Sequence, residues 1–450
     1  MTSDVEHFAS LGMTPEEAES RAALLRQADE RGRAFIGGAP RWRWFVPGRI
    51  EIFGKHTDYA GGRSLLAAVP RGMAIIARPR GDGIVRLTDV FDGREVSVDP
   101  SQEAPPNIRG LRRYLHVVAR RFFLNFAGCR LGADLAIASD LPRAAGLSSS
   151  SALVCAVAAA LARRAALTDR EEWQARIPSR PSLAWYLGCV ENGLTYPGLP
   201  GTSGVGTRGG SQDHTAILAC RLHHVSQFRF VPVLPIDEVA MPADWTFVVA
   251  SSGVQADKAG SVMHRYNRAA DRARVLHDLW NARADQPERS VGAALSSAPD
   301  ALDALRSWIT DEVDARFTAD DLLRRLQHFV NEDARAPLAA RAFGAADATT
   351  LGRLSHDSQH EADDLLGNQI PETIRLAAAA REAGAFAASS FGAGFGGSVW
   401  ALIPTTDAKP FVREWLRAYD TRVPDPPLPC FIARPGPPLT ELPTDAAQAD

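Results

Sequence analysis

The sequence has no long apolar run. Its strongest stretch, Ala152 to Ala162, is about half the ~20 residues a bilayer-spanning helix needs, and Arg163 and Arg164 follow it. A membrane span is therefore not expected. Met1 to Ser10 carries Asp4 and Glu6 and lacks the apolar core of a secretory signal. Cysteine is scarce: the five, at 129, 155, 189, 220 and 430, are odd in number and show no C-x-x-C spacing, which argues against a disulfide framework and a zinc site. A reducing, cytoplasmic setting is the expectation. Charge of one sign is also missing. With 50 basic against 53 acidic residues the net charge is -3, which offers no broad field for nucleic acid or an anionic membrane, so the expected partner is a small molecule. No G-x-x-x-x-G-K-[ST] occurs, which excludes a Walker-type ATPase. No internal repeat is visible.

What is present is ordinary globular composition, 45% apolar and 23% charged, over 450 residues. That length exceeds a single hydrophobic core and predicts two large domains. Thr14-Pro15-Glu16-Glu17 starts a helix with a hydroxyl cap, proline in the first turn and acids at the positive dipole end, running to about Arg33. Trp42 to Ile76 reads as strands broken by glycine turns, Val85 to Val98 as a hairpin, Leu111 to Phe126 as a helix and Leu131 to Ala138 as a strand. The apolar helix from Ala152 follows. Asn192 to Gly210 has no hydrophobic period and reads as a long loop, and the domain junction is expected near residues 232 to 244. Beyond it come a strand at Thr246 to Ala250 and a helix with the stripe Val262, Tyr266, Ala269, Ala273, Leu276 and Leu279. More helices lead to a strand-loop-strand unit, Ala385 to Ser390 and Ser398 to Ile403. This is an α+β arrangement. The expected domains are 1–232 and 245–434, with a Pro-rich, acidic and frayed tail at 435–450.

Four segments carry chemistry. Asp140 to Ala152 places Gly146-Leu147-Ser148-Ser149-Ser150-Ser151 between a strand and a helix, where free backbone N–H groups and hydroxyls suit a phosphate; a polyserine turn that only caps the helix is the plainer alternative. Gly392-Ala393-Gly394-Phe395-Gly396-Gly397 satisfies G-x-G-x-x-G. A dinucleotide fold requires a helix next, however, and Ser398 to Ile403 reads as a strand stopped by Pro404. A loop able to approach a phosphate or another loop closely is what survives. Pro47-Gly48-Arg49-Ile50-Glu51-Ile52-Phe53-Gly54-Lys55-His56-Thr57-Asp58-Tyr59 gathers a cation, an imidazole and a carboxylate at one turn, as a hydroxylated ligand would need. Gly209-Gly210-Ser211-Gln212-Asp213-His214 sets an acid between glycines and an apolar run, where it either caps a helix or does chemistry.

In this order, across about residues 44 to 403, the four segments resemble the galactokinase branch of the GHMP kinases. The resemblance implies a two-domain GHMP kinase fold with a ribosomal-protein-S5-like first domain and an α/β-sandwich second domain. It implies a sugar 1-kinase using ATP and Mg²⁺. By position, Asp213 resembles the catalytic carboxylate and Arg49 the arginine beside it. The nucleotide would be held by Gly146, Leu147, Ser148, Ser149, Ser150 and Ser151, with Gly394 and Gly396 bracing it. Ser150 and Glu191 match the Mg²⁺ contacts, and Lys55, His56, Asp58, Gly210 and Tyr266 fall where the sugar is bound. Monomer and dimer are both compatible with the chain.

Three departures stand out. Galactokinases carry a glutamate at the place of Lys55, which accepts a hydrogen bond from the sugar's primary hydroxyl; an ammonium has three donors and no acceptor. If Lys55 faces the sugar, the substrate is expected to be altered at carbon six, as in a uronic acid; the alternative is that Lys55 points to solvent. The insertion from Asn192 to Thr207 is read as a lid, a reshaped pocket wall or an inert surface loop. Ile108 and Leu111 occupy the region where the family tends to place a tryptophan against the base. Two further function classes are compatible with the motifs: a non-catalytic sensor of sugar and ATP, and a GHMP kinase for a non-sugar alcohol.

Overall fold

The computed structural model describes residues 3–142, 146–254, 260–311, 316–392, 394–419 and 428–444. Arg143, Ala144 and Ala145 of the serine segment and Ala393 of the glycine segment lie outside the described residues.

Runs of Val, Ile, Leu and Ala between Trp42 and Pro79 are buried almost throughout, which is what a strand covered on both faces needs. They form β1 (Trp42–Phe53) and β2 (Arg63–Pro79), paired antiparallel across the turn that contains His56 and Asp58. The long β2 also pairs with β5 (Ala133–Ser139) at its far end and with β6 (His224–Arg229) at its near end. The hairpin β3 (Val85–Asp89) and β4 (Glu95–Val98) joins through the parallel β3–β5 pair, giving the order β12-β1-β2-β5-β3-β4. Pro15–Ile36 packs on one face of this sheet; Thr14 and Glu17 form its capping box and Gly37 ends it in the left-handed conformation. On the other face lies the apolar helix Ser149–Arg164, with Gly110–Asn125 and Arg180–Asn192 against it.

Two expected boundaries require correction. The first domain does not stop at residue 232, because β7 (Leu234–Ala240) pairs with β6 and extends the same sheet. The tail is not frayed over its whole length. β12 (Thr440–Leu442) pairs with the start of β1, Gly436 N donates to the Ala68 carbonyl (2.8 Å) and Leu439 N to that of Ile217 (2.8 Å). Proline-rich composition hid a strand whose Leu442 completes an apolar cluster with Phe8, Leu25, Phe45 and Ile76. Residues 445–450 lie outside the described residues.

The second sheet is antiparallel in the order β11-β8-β10-β9, from β8 (Trp245–Ser251), β9 (Ala387–Ser390), β10 (Ser398–Pro404) and β11 (Cys430–Ala433). One face is covered by Pro371–Glu382 and Ala408–Tyr419, whose Leu376, Phe411 and Trp415 meet Val248, Val399 and Ala401. The other face turns toward the first domain. Trp400 meets Phe53 and Phe247 edge-on at 6.2 and 5.9 Å, so one apolar core runs across both domains. The helices Gly260–Arg283 and Ala319–Gly344 form a further cluster that packs against Ala60 in the β1–β2 turn. Among the described residues no helix is long and apolar enough to cross a membrane.

Candidate active site

β1 alternates polar and apolar side chains at Arg49, Ile50, Glu51 and Ile52, a pattern that ordinarily marks one wet face. Here that face is covered, and Arg49 and Glu51 are 2% and 1% exposed. Arg49 Nε donates to Asp213 Oδ1 at 2.7 Å, its Nη1 donates to the Gly146 carbonyl at 2.5 Å, and the guanidinium lies 5.5 Å from the centre of the Phe391 ring. One side chain thus ties the helix Gln212–Ala219, the serine segment and the glycine segment together. Burial opposes its charge, but Asp213 and Glu51 outweigh burial and hold the guanidinium above its ordinary pKa.

Asp213 opens onto a cleft lined also by Arg49, His56, Asp58, Gly210 and Tyr266. The His56 ring stacks obliquely on Tyr266 at 5.1 Å, and its Nδ1 lies 2.7 Å from the Tyr59 hydroxyl. Asp58 Oδ2 accepts from the Gln212 amide at 3.0 Å. A side chain at Gly210 would occupy the space of that carboxylate, so glycine is what allows the two loops to meet. Burial raises the Asp58 pKa, opposed by the Gln212 amide.

In the same cleft, Ser151 Oγ donates to Glu191 Oε2 at 2.9 Å, and His214 Nε2 lies 2.9 Å from the same oxygen. Ser151, rather than Ser150, makes this contact; Ser150 sits half-buried in the first turn of Ser149–Arg164. Ser148 caps that helix in the left-handed conformation without a side-chain cap bond, and its hydroxyl is buried without a hydrogen-bond partner among the described residues. Leu147 is sealed in the core. Of the glycine segment, Gly392 lines the cleft. Gly394 and Gly396 lie in the stretch anchored to Asn368, whose carbonyl accepts from Phe395 N at 2.7 Å and whose Nδ2 donates to the Gly392 carbonyl at 2.7 Å.

Lys55 does not line the cleft. It is 1% exposed and neither faces the cleft nor solvent: its Nζ donates to Ser358 Oγ (2.7 Å) and Ser389 Oγ (2.8 Å) in the second domain. The reason is electrostatic, since Glu332 and two serine oxygens compensate the ammonium there. The insertion is not an inert surface loop either. Arg121 and Asn125 donate to the carbonyls of Leu194 and Pro200, Tyr196 packs edge-on against Trp185 and Tyr186, and Thr207 and Asn192 line the cleft. Asn267 of Gly260–Arg283 then bonds Gly206 and Arg208, tying the insertion's end to the second domain.

Gln212 and Glu51 were not legible as site residues. Gln212 Nε2 donates to Glu51 Oε2 at 2.6 Å, and the same oxygen accepts from Gly392 N at 3.2 Å, so the pair joins β1, the Asp213 helix and the glycine segment. Burial, opposed by Arg49 and Lys55, pushes Glu51 up to about 7. The one signal was a charged residue inside the apolar run Ile50 to Phe53.

Three family models match the chain: the galactokinase galactose-binding signature over residues 33–79, the GHMP kinases N terminal domain over 113–176 and the GHMP kinases C terminal domain over 339–421. A galactokinase of Mycobacterium bovis is 30% identical over 372 residues, covering 81% of this chain and 89% of that protein. The chain belongs to the galactokinase family of GHMP kinases. A Roseiflexus galactokinase is 29% identical over 401 residues, 87% of this chain and 90% of its own length. The galactokinase fold is seen again in a Lactococcus lactis galactokinase solved with galactose, with a TM-score of 0.75 at 24% identity over 94% of this chain and 100% of that one. The expected α+β GHMP architecture is thus present, and the chain is a galactokinase-like sugar 1-kinase acting on a small sugar.

Proposed function

We propose that this galactokinase-like enzyme moves the terminal phosphoryl group of ATP onto the anomeric hydroxyl of a neutral hexose, with galactose the first candidate. The observation that carries the reading is the 2.7 Å contact between Arg49 and Asp213 in a cleft lined by His56, Asp58 and Gly210 and by Ser151 of the serine segment.

Asp213 takes the proton of the attacking hydroxyl, a role that needs an ionised carboxylate, and the adjacent guanidinium keeps it ionised. His56, Asp58 and Gly210 hold the sugar's other hydroxyls, and Tyr266 offers a ring face to its apolar side. The serine segment receives the phosphates at the N-terminus of Ser149–Arg164, where Ser148 contributes a buried hydroxyl that has no hydrogen-bond partner among the described residues. Ser151 and Glu191 present a hydroxyl and a carboxylate suited to Mg²⁺, and among the described residues no group of three or more His, Cys, Asp or Glu side chains makes a metal site alone. Phosphate and water oxygens would complete the shell, and the bound ion would offset phosphate charge during transfer. A neutral sugar is favoured over a uronic acid because Lys55 is turned away and Arg49, among the described residues the one permanent cation lining the cleft, is engaged by Asp213. All five cysteines are free, which supports a cytoplasmic setting.

The test is ADP release from ATP and Mg²⁺ across neutral sugars and uronic acids, for wild type and Asp213→Ala. Galactose-dependent release is expected, reduced in the variant by roughly 10²- to 10⁴-fold. Undiminished sugar-dependent release in the variant would remove Asp213 from the mechanism. Sugar binding without turnover in the wild type would point to a sensor.

A further inference from the structure

Lys55 stands in the sugar-side turn yet faces the other domain, where it meets one stripe of one helix. Along Ala319–Gly344, Arg325, His328, Glu332 and Arg335 follow at steps of three, four and three, which places them on one face, and all four are buried. That face grips the backbone of the β1–β2 turn. Glu332 Oε1 accepts from the amides of Gly54 (2.9 Å) and Lys55 (3.2 Å). Arg325 Nη2 donates to the His56 carbonyl at 2.6 Å and to the Tyr59 hydroxyl at 3.3 Å. Asp333, the next residue after Glu332, accepts from the Arg63 amide at 2.6 Å. Between these holds lie the His56 and Asp58 side chains that line the cleft.

The charges close on one another. Ser358 Oγ, which accepts from Lys55 Nζ, itself donates to Glu332 Oε1 at 3.0 Å, and Arg335 Nη1 reaches Glu332 Oε2 at 3.0 Å. Lys55 and Arg335, with the backbone amides of Gly54 and Lys55, offset the burial of the Glu332 carboxylate and hold it below the ordinary carboxylate range. His56 has a φ of 56°, a left-handed conformation that costs energy for a residue other than glycine and persists where surroundings hold it. Its carbonyl is held by Arg325 from the same helix face.

We infer that Lys55 and Glu332 are a matched pair of positioning residues, which set from the second domain the shape of the turn that presents His56 and Asp58 to the sugar. Lys55 acts on the acceptor without touching it. The inference deepens the proposed reading and rests on it, because it takes His56 and Asp58 as sugar-binding groups.

The experiment measures kcat, the KM for ATP, the KM for the sugar and the thermal midpoint for wild type, Lys55→Met, Glu332→Gln and the double variant. The sugar is the best substrate of the panel described above. Each single variant is expected to raise the sugar KM by roughly tenfold or more, the effect of losing a charge-assisted hydrogen bond, while the KM for ATP stays within about twofold. The double variant should lose less than the product of the two single losses, the signature of a coupled pair. Equal movement of both KM values, or a lower thermal midpoint with an unchanged sugar KM, would reduce Lys55 to a structural role and overturn the inference. A wild type that turns over no sugar overturns the underlying reading, and this one with it. Ser389→Ala removes one acceptor of Lys55 and no charge; it carries the same test if Lys55→Met does not fold, with a selective rise of roughly fivefold expected and no rise counting against the pair.

Discussion

Glu51 holds a carboxylate where water does not reach, between Arg49 and Lys55 on one side and Gly392 on the other. Burial raises its pKa from 4.5 to about 7, so between those values the folded protein keeps a proton that the unfolded chain releases. The stability it contributes is therefore fully present below about pH 4.5 and is lost as pH rises through about 7, on the order of 3 kcal/mol at 1.36 kcal/mol per unit. Glu51→Gln keeps an acceptor for Gln212 and Gly392 but does not titrate. The expected outcome is a wild type that loses stability relative to the variant from pH 5 to pH 8, read by thermal or denaturant unfolding; parallel profiles would show that Glu51 does not titrate there. The same residue marks the limit of reading a chain by eye. Arg49, His56, Asp58 and Asp213 were legible because motif spacing places them, and the cleft gathers all four. Glu51 was not, because polar alternation in β1 looks like a wet face until a second domain covers it. Lys55 was misread for a related reason: its partners, Ser358 and Ser389, lie 303 and 334 residues away, beyond the reach of any local pattern.

At the scale of elements, the loop Gly209 to Ser211 and the β1–β2 turn meet with no room between them. A Cβ at position 210 would run into the Asp58 carboxylate and the Tyr59 amide, and Gln212, which starts the following helix, gives its own amide to Asp58. A methyl group at 210 must push Asp58 out of the position from which it faces the cleft, and overpacking of this kind costs about 1–3 kcal/mol. Gly210→Ala is thus expected to raise the sugar KM by roughly ten- to a hundredfold while leaving the KM for ATP near wild type, since the displaced carboxylate belongs to the β1–β2 turn and not to the serine segment. Steady-state kinetics with each substrate varied in turn would decide it, and an equal effect on both substrates would contradict the assignment of Asp58 to the sugar. Elements with local signals were readable. Thr14 and Glu17 announce Pro15–Ile36, and Pro404 ends β10 where expected. The insertion from Asn192 to Thr207 had no period to read, because its order comes from Arg121, Asn125 and Asn267 on two neighbouring helices and from Tyr196 packed among aromatic rings.

On the scale of the whole molecule, the chain's end returns to its beginning. β12 closes the open edge of β1, Arg43 bonds Asp4, Asp29 and the Pro443 carbonyl, and Leu442 enters the cluster built by the first two helices. An uncovered β1 would present unpaired amides and carbonyls to other chains. Leu442 is 4% exposed, so Leu442→Ala should cost about 2–5 kcal/mol, the usual price of truncating a buried leucine. The strand pairs with residues 43–45 of β1, whereas Arg49 stands four residues farther on, about 13 Å along the strand and beyond the register shift between Pro47 and Arg49. The damage should therefore remain at the distal end of the sheet. At 25 °C the variant is expected to keep its kcat and both KM values within about twofold of wild type, because the core that positions the cleft runs through Phe53, Phe247 and Trp400 rather than through the tail. Its thermal midpoint should fall by several degrees or more and its tendency to aggregate on heating should rise. A midpoint equal to wild type would mean that β12 adds no stability. A selective loss of sugar affinity at 25 °C would mean that the tail reaches the cleft through β1, and that the two ends of that strand act as one unit.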